Sequence, residues 1–325
     1  VTCPACTVYT GGQMGNTFFF GWEPALMAWL QANLGVFGVK LAVFLTLFGQ
    51  ETIMVLLLGY FYWCRSKEIG IYMGTNLFAV SVWNPLLKNI FLRRRPYFDC
   101  PEITCLKKVS ENADLYDIAA QGYSFPSGHS SSAAALYGSL ARWFKKRWLT
   151  FCCGILILLV GVSRFCLGVH FPTDVLTGWA LGLLAVFLVP WLKTVLKKKW
   201  LFYLVLLLMA LPGLFYCTTS DYYTSLGMMI GFFAGNLFEE RFVRFQNTRS
   251  IPRSVLRILG GIGIYLGLNA LLKLPFSGEF LSTPAFAARM VRTARYAVIL
   301  FVDIGLYPAL FALTTRIGRK KKPVQ

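Results

Sequence analysis

Both histidines of the chain lie in short polar segments beside apolar runs. The stretch YSFPSGHSSSAAALYGSL, residues 123–140, contains His129, and the stretch SRFCLGVHFPTDV, residues 163–175, contains His170. The motif Phe-Pro-Ser-Gly-His and the Ala and Ser that follow it are typical of a turn that leads into a helix. Because imidazole is the commonest acid and base in enzymes, these two segments are the first candidates for catalysis.

Three cations accompany the histidines. Lys88 and Arg95 are seven residues apart in LKNIFLRRRPYF, about two turns of a helix, so both are expected to face one point from one helix. Arg164 comes six residues before His170. Ser127 and Gly128 open the helix after the turn, where free N–H groups favour an anion. This combination predicts a phosphate site, in which the Arg side chains bind oxygens in pairs and Lys acts as a point charge.

The two histidines have different surroundings in the sequence. Asp174 follows His170 by four residues and can hold its second ring nitrogen, which stabilises the cation formed when the first nitrogen attacks phosphorus. His129 has no carboxylate nearby in sequence. We therefore expect His170 to be the nucleophile, and His129 to be the general acid for the leaving oxygen and later the base for water.

The elements that must hold these residues are membrane helices. The chain has 56% hydrophobic residues and a mean hydropathy of +0.58, with long apolar runs throughout its length. These features predict an all-α, polytopic membrane bundle of about nine spans, with four to five helices forming the catalytic core. The predicted spans are 37–63, 70–92, 128–144, 149–167, 174–196, 199–217, 222–239, 254–274 and 293–315. Residues 23–35 are interpreted as an interfacial helix.

Charge predicts the orientation. Most of the 32 basic residues fall in loops on one side of this arrangement, which should be the cytoplasmic side, together with the tail RKKKPVQ. Both histidine segments then lie on the opposite side. The net charge of +18 is accounted for by anionic lipid headgroups and needs no nucleic acid. The first spanning helix is expected to serve as the membrane signal.

The predicted domains follow the motifs. Residues 1–36 form an N-terminal segment with the interfacial helix, and residues 37–198 form the membrane core that carries all the site residues. Residues 199–325 form additional C-terminal spans of unknown role and the basic tail.

The three motifs resemble those of the type 2 phosphatidic acid phosphatase superfamily. They are Lys88-x6-Arg95-Pro96, then Pro126 to His129, then Ser163-Arg164-x5-His170-x3-Asp174, in the expected order. The resemblance implies hydrolysis of a phosphomonoester through a phosphohistidine, without metal or other cofactor. The extra spans look more like the sphingosine-1-phosphate and glucose-6-phosphate phosphatase branches. The expected substrate is a lipid phosphate, in a plasma or inner membrane or the endoplasmic reticulum.

Other interpretations of the same residues stay open at this stage. A sugar phosphate or undecaprenyl pyrophosphate is an alternative substrate, so the partner is either a phosphorylated amphiphile or a small phosphate ester. Arg93 and Arg94 are interpreted as interfacial anchors, and Asp174 alone could be a helix cap. A transporter that uses Glu51 and Asp303 is the main alternative from another class. An inactive scaffold and a vanadate oxidase rank lower.

Two further expectations concern single residues. Glu51 lies within the first predicted span, so it should face the bundle and either line the substrate pocket or brace the active-site helices. Cys100 and Cys105 bracket a short loop on the extracytoplasmic side, where disulfides persist, and are predicted to form a bridge that shapes a lid over 99–125. Cys3 and Cys6 also fall on that side.

Overall fold

The computed structural model describes residues 15–311, and every regular element in that range is helical. The elements are α1 (Trp22–Leu47), α2 (Glu51–Gly59), α3 (Lys67–Phe91), α4 (Pro96–Asp99), α5 (Ile118–Gln121), α6 (Gly128–Phe144), α7 (Arg147–Cys166), α8 (Pro172–Val195), α9 (Lys199–Ala210), α10 (Gly213–Tyr216), α11 (Ser220–Phe238), α12 (Ile251–Leu271), α13 (Gly278–Ser282) and α14 (Phe286–Phe301). Helices α2, α11 and α14 each continue into a π-helical turn. The all-α prediction is confirmed.

The chain divides into two compact units. The first comprises the residues up to Gln50 together with Asn84–Leu184, and the second comprises Glu51–Trp83 together with the residues from Ala185 onward. The three boundaries fall between α1 and α2, within α3 and within α8. All predicted site residues except Glu51 belong to the first unit. The division into 1–36, 37–198 and 199–325 stays a prediction.

In the first unit, α7 packs against both α1 and α6. One apolar cluster joins Ala42 of α1 to Tyr97, Cys166, Leu167 and Val169. These residues come from the helix before the site, the segment after α3 and the loop between α7 and α8. The loop that carries His170 is therefore packed between α1 and the 97–106 segment, which fixes its position.

In the second unit, α11 and α14 form the most extensive contact between two helices. A Cβ on Gly227 would lie 2.3 Å from the carbonyl oxygen of Thr293, and one on Gly231 would lie 2.2 Å from that of Ala297. Both positions therefore require glycine. Small residues allow two membrane helices to approach to backbone contact, which maximises their van der Waals packing.

Six helical stretches within residues 15–311 are long and apolar enough to cross a membrane. They are Trp22–Leu47, Arg147–Cys166, Pro172–Val195, Lys199–Tyr216, Ile251–Leu271 and Phe286–Phe311. The protein is a multi-pass membrane protein. The predicted count of nine is not confirmed, although α3, α6 and α11 coincide with predicted spans.

The N-terminal part of the chain agrees with the prediction in one respect and differs in another. Helix α1 consists of two helices that meet at a kink at Gly35, where φ 57° and ψ −179° are non-helical, so the residues before Gly35 form a helical segment of their own, whose interfacial position stays a prediction. The predicted span 37–63 is interrupted at Phe48–Gln50, between α1 and α2. Gly49 packs there against α7 and the first turn of α6: a Cβ would lie 2.7 Å from Val160 Cγ1 and 3.1 Å from His129 Cβ.

The predicted disulfide is absent. Cys105 is a free thiol. Cys100 packs with Met27, Ile103 and Phe171, whereas Cys105 packs against the cluster around Ala42. The two side chains thus serve separate apolar clusters, and burial raises the pKa of the Cys105 thiol. The predicted tail, 319–325, and the pair Cys3 and Cys6 lie outside the described residues.

Candidate active site

The turn before α6 is held by hydrogen bonds from three directions. The Ser127 N–H donates to the Asp174 carbonyl over 3.0 Å, and the Ser124 N–H donates to the Arg93 carbonyl over 2.7 Å. The amide of Asn84 donates to the Pro126 carbonyl over 3.3 Å. The start of α6 is therefore fixed against both the end of α3 and the start of α8.

Ser127 is the N-cap of α6. Its hydroxyl oxygen accepts from the Ser130 N–H at 3.4 Å and from the Ser130 hydroxyl at 2.9 Å. This capping uses the oxygen as an acceptor and leaves the hydroxyl hydrogen available to an anion. Gly128 follows as the first helical residue, so its N–H belongs to the end of α6 that favours negative charge.

His170 lies in the loop between α7 and α8 and is only 2% exposed. Its Nδ1 is 3.5 Å from Asp174 Oδ2 and 3.4 Å from the Ser124 hydroxyl oxygen. Ser124 donates a short hydrogen bond to the same carboxylate oxygen. That oxygen also accepts from the Phe171 N–H at 2.7 Å. The structure therefore brings together His170 and Asp174 as predicted, and adds a serine hydroxyl in contact with both.

Arg93 holds the other side of Asp174. Its Nη1 lies 2.6 Å from Asp174 Oδ1, and its Nη2 lies 3.2 Å from Glu23 Oε2 at the start of α1. The guanidinium is enclosed by the rings of Phe18 and Phe171. Since Arg93 is 1% exposed, its interpretation as an interfacial anchor is wrong. Arg94 is partly exposed and pairs with Asp99 at 2.6 Å, as a side chain at the surface does.

Replacing Arg93 by glutamine should destabilise the protein and lower its catalytic rate. The change leaves Asp174 and Glu23 as buried carboxylates without their cation. We expect this to lower the free energy of unfolding by about 3–5 kcal/mol. Arg94→Gln is the matched control and should cost about 1 kcal/mol or less. Thermal unfolding of both variants in one detergent measures the difference. Equal unfolding temperatures would contradict the structural role of Arg93.

Arg95 is positioned by backbone carbonyls. It donates to the carbonyl oxygens of Gln121, Gly122 and Val169 over 2.7–3.0 Å. Its Nη1 is 3.4 Å from His170 Nε2, the ring nitrogen opposite the one near Asp174. A cation therefore lies beside the ring nitrogen that faces away from Asp174.

Arg95 does not share a helix with Lys88. Helix α3 ends at Phe91, Leu92 adopts a left-handed conformation with φ 51°, and Arg95 is the extended N-cap of α4. The predicted helical geometry is therefore wrong. The two cations nevertheless converge, since both act electrostatically on His170.

Arg164 comes from the last turn of α7 and is buried. Its Nη1 is 2.5 Å from the hydroxyl oxygen of Thr46 on α1, also buried. His129 is half-buried and lies within electrostatic reach of Arg164, Lys88, Arg95 and His170. All three predicted cations and both histidines thus belong to one cluster.

The surroundings of His170 favour its neutral form. Burial, followed by the positive charges of Arg95, Arg164 and Lys88, lowers the pKa of His170 well below its ordinary value, and a hydrogen bond involving the Ser124 backbone opposes the shift. A neutral imidazole has the free lone pair that a nucleophile needs. A bound phosphate would offset the cations, so the site is arranged for an anion.

The same part of the chain matches a known family. Residues 68–217, which contain all three motifs, match the PAP2 superfamily, and residues 223–319 match the transmembrane extension of PAP2 superfamily phosphatases. The chain belongs to the PAP2 superfamily. The superfamily resemblance of the motifs is therefore confirmed, whereas the likeness to the sphingosine-1-phosphate and glucose-6-phosphate branches stays a prediction.

Several lipid phosphatases are similar to this PAP2 chain. Phosphatidylglycerophosphatase B of Bacillus subtilis is 42% identical over 23% of this chain and 42% of its own length. Lipid A 4'-phosphatase of Porphyromonas gingivalis is 30% identical over 43% of this chain and 59% of its own. Undecaprenyl-diphosphatase of Sulfolobus acidocaldarius is 31% identical over 44% of this chain and 64% of its own length. The chain thus spans about half the length of these curated relatives.

A solved structure is also similar. It is the transmembrane PAP2-type phosphatidylglycerolphosphate phosphatase from Bacillus subtilis, at 26% sequence identity and a TM-score of 0.42. The match covers 54% of this PAP2 chain and 86% of that one.

Sequence reasoning missed four side chains that support the site: Glu23, Thr46, Arg93 and Ser124. Arg93 is one of three consecutive arginines, and nothing local distinguishes it from Arg94. Glu23 and Thr46 act from α1, far along the chain from the motifs. Ser124 lies three residues before Ser127, so its closeness to the quoted Pro-Ser-Gly-His motif was the one available signal.

Proposed function

We propose that the protein is an integral membrane phosphatase that hydrolyses a lipid phosphomonoester through a phosphohistidine on His170. The observation that supports this best is the position of His170. Its Nδ1 faces Asp174 and Ser124, and its Nε2 faces Arg95 within a cluster of three cations. A phosphate bound by those cations would lie next to the attacking nitrogen.

In the first half-reaction, His170 Nε2 attacks phosphorus while the bond to the ester oxygen breaks. His129 donates its proton to that oxygen, which leaves as an alcohol. Asp174 stabilises the positive charge on the phosphorylated ring. Lys88, Arg95 and Arg164 neutralise the three non-bridging oxygens, with Ser127 and Gly128 as further donors.

In the second half-reaction, water attacks the phosphohistidine and the P–N bond breaks. His129, now neutral, takes the proton from water, and inorganic phosphate leaves. His170 returns to its neutral form, which the surrounding cations favour. No step is assigned to Glu51, whose contribution stays a prediction.

The substrate class rests on the membrane setting and on the relatives. The chain has several helices of membrane-spanning length, and the similar proteins are named for phosphatidylglycerophosphate, lipid A and undecaprenyl diphosphate. A phosphate at the end of a lipid reaches a site at the membrane edge without leaving the bilayer. We assign a lipid monophosphate to the site on this basis, with a lipid diphosphate as the alternative substrate.

A substrate panel on the purified protein tests the proposal. Phosphate release is measured in detergent from phosphatidate, phosphatidylglycerophosphate, farnesyl diphosphate, sphingosine 1-phosphate and glucose 6-phosphate. At least one lipid should give a kcat/KM about tenfold or more above the sugar phosphate. Preference for glucose 6-phosphate would overturn the substrate class, and phosphate release unaffected by His170→Ala would overturn the site.

The pH dependence of phosphoryl transfer should report His170. Because its pKa is lowered, the neutral ring persists below the ordinary histidine range, and the acid limb of the rate should lie there. Removing a cation with Arg95→Gln should move this limb to higher pH. Arg94→Gln, which is not among the charges acting on His170, should leave it in place. Burst kinetics with an aryl phosphate in a His129→Ala background isolates His170, the only other histidine.

The orientation has its own test. Ser110 lies in the loop between α4 and α5, which the charge distribution places outside the cytoplasm. In a variant with Cys3, Cys6 and the exposed Cys152 replaced by serine, a cysteine introduced by Ser110→Cys should add a site that reacts with a membrane-impermeant maleimide on intact cells or sealed right-side-out vesicles. Reaction only after the membrane is broken would reverse the orientation.

A further inference from the structure

A cavity lies in the second unit, which contains none of the three motifs. Its volume is about 470 Å³, within the range of small-ligand sites, and it opens between the π-helical turn after α2 and the start of α12. Arg65 and Arg249 line it, together with the hydroxyl-bearing residues Thr248 and Ser254. No acidic side chain is among its described lining residues. The cavity therefore offers its polar groups to an anion.

The two arginines are not used by the fold. Within residues 15–311, neither Arg65 nor Arg249 forms an ion pair or a hydrogen bond with its side chain. Nearby basic groups differ: Lys67 pairs with Glu239 at 2.6 Å, and Arg257 donates to the Trp63 carbonyl over 2.6 Å. Among the described residues, the charges of Arg65 and Arg249 thus have no counter-ion and are available to a ligand.

The walls of the cavity are tied together before any ligand binds. The Thr248 N–H donates to the Cys64 carbonyl over 3.0 Å, and the Asn247 amide donates to the Tyr62 carbonyl over 2.9 Å. The Asn247 side-chain oxygen accepts from the Lys67 N–H at 3.1 Å. Because these bonds fix the 246–250 segment against the 60–67 turn, little ordering cost opposes binding.

The rest of the lining is apolar and runs along one helix. Ile251, Val255 and Ile258 line the cavity at i, i+4 and i+7, and therefore share one face of α12. Ile251 is 78% exposed, and α12 is among the helices of membrane-spanning length. A ligand that fits this lining has an anionic head and an aliphatic chain parallel to α12.

We propose that this cavity binds one anionic phospholipid of the surrounding membrane. Its phosphate lies between Arg65 and Arg249, with Thr248 and Ser254 as hydrogen-bond partners, and an acyl chain packs along the face of α12. This site is separate from the catalytic cluster in sequence and does not depend on the proposed phosphatase activity. It gives the C-terminal unit a lipid-binding role.

Photo-crosslinking tests the proposal. The purified full chain, in micelles of a neutral detergent, is mixed with phosphatidylglycerol that carries a diazirine in one acyl chain, and the adducts are mapped by peptide mass spectrometry. Adducts should concentrate in residues 251–258. The same diazirine on phosphatidylcholine should label this segment at least about fivefold less, because its head carries no net charge.

Paired variants separate the cavity from general surface charge. Arg65→Gln with Arg249→Gln should reduce phosphatidylglycerol labelling of 251–258 at least about fivefold. Arg241→Gln with Arg253→Gln removes two exposed charges that do not line the cavity. This pair should change the phosphatidylglycerol labelling of 251–258 less than about twofold. Equal loss in both pairs, unchanged labelling in the first pair, or equal labelling by phosphatidylcholine would each overturn the proposal. Gel-filtration profiles identical to wild type confirm folding.

Discussion

Replacing His170 by alanine is expected to abolish turnover of every phosphate ester, at least about 10⁴-fold, because no phosphoenzyme can form whatever the leaving group. The effect should be equal for alkyl and aryl esters. Binding of inorganic phosphate or vanadate should persist, since Lys88, Arg95 and Arg164 remain. Steady-state rates and vanadate protection against thermal unfolding measure the two effects separately.

The alanine variant has a matched control. Ser124→Ala removes a hydroxyl that contacts both His170 and Asp174 but leaves the nucleophile in place. We expect it to lower the rate far less than His170→Ala does. Residual turnover above about one part in 10³ in His170→Ala would show that another group attacks phosphorus.

His129→Ala should separate substrates by their leaving groups. An alkoxide needs a proton to depart, so hydrolysis of an alkyl ester should fall about 10²–10⁴-fold. An activated aryl ester needs none, so its phosphate should still be transferred to His170 in a single-turnover burst. The following hydrolysis should be slow, because His129 is also the base for water.

The control for His129→Ala is a variant that keeps both histidines. Arg94→Gln changes a partly exposed charge near the site and should affect both ester types equally and slightly. An equal loss of alkyl and aryl cleavage in His129→Ala, with no burst, would remove His129 from the role of general acid.

The residues that meet in the candidate site could be predicted from the sequence because their motifs are local, while their catalytic roles stay a proposal. Asp174 is four residues from His170, and the residue types of the Pro-Ser-Gly-His segment predict the start of a helix. The Ser127 N–H bond to the Asp174 carbonyl then joins the two motifs in space. The prediction that Lys88 and Arg95 lie on one helix is wrong, because their spacing does not reveal that α3 ends at Phe91.

The supporting groups could not be predicted, because burial decides their roles. Arg93 and Arg94 are identical and adjacent, yet one is enclosed between Phe18 and Phe171 and the other reaches the surface. Likewise, the sequence spacing of Cys100 and Cys105 favours a bridge, but each thiol packs into a different cluster. Tertiary packing, which single-sequence patterns do not encode, determines these outcomes.

Trapping the phosphoenzyme tests the central claim most directly. The His129→Ala variant is mixed with a phosphorus-labelled aryl ester, quenched within one turnover and digested under mildly alkaline conditions. The label should be acid-labile and base-stable, as a phosphoramidate is, and should map to the peptide that contains His170. Label on a serine or a carboxylate, or a burst of released phosphate with no labelled peptide, would contradict a phosphohistidine at this position.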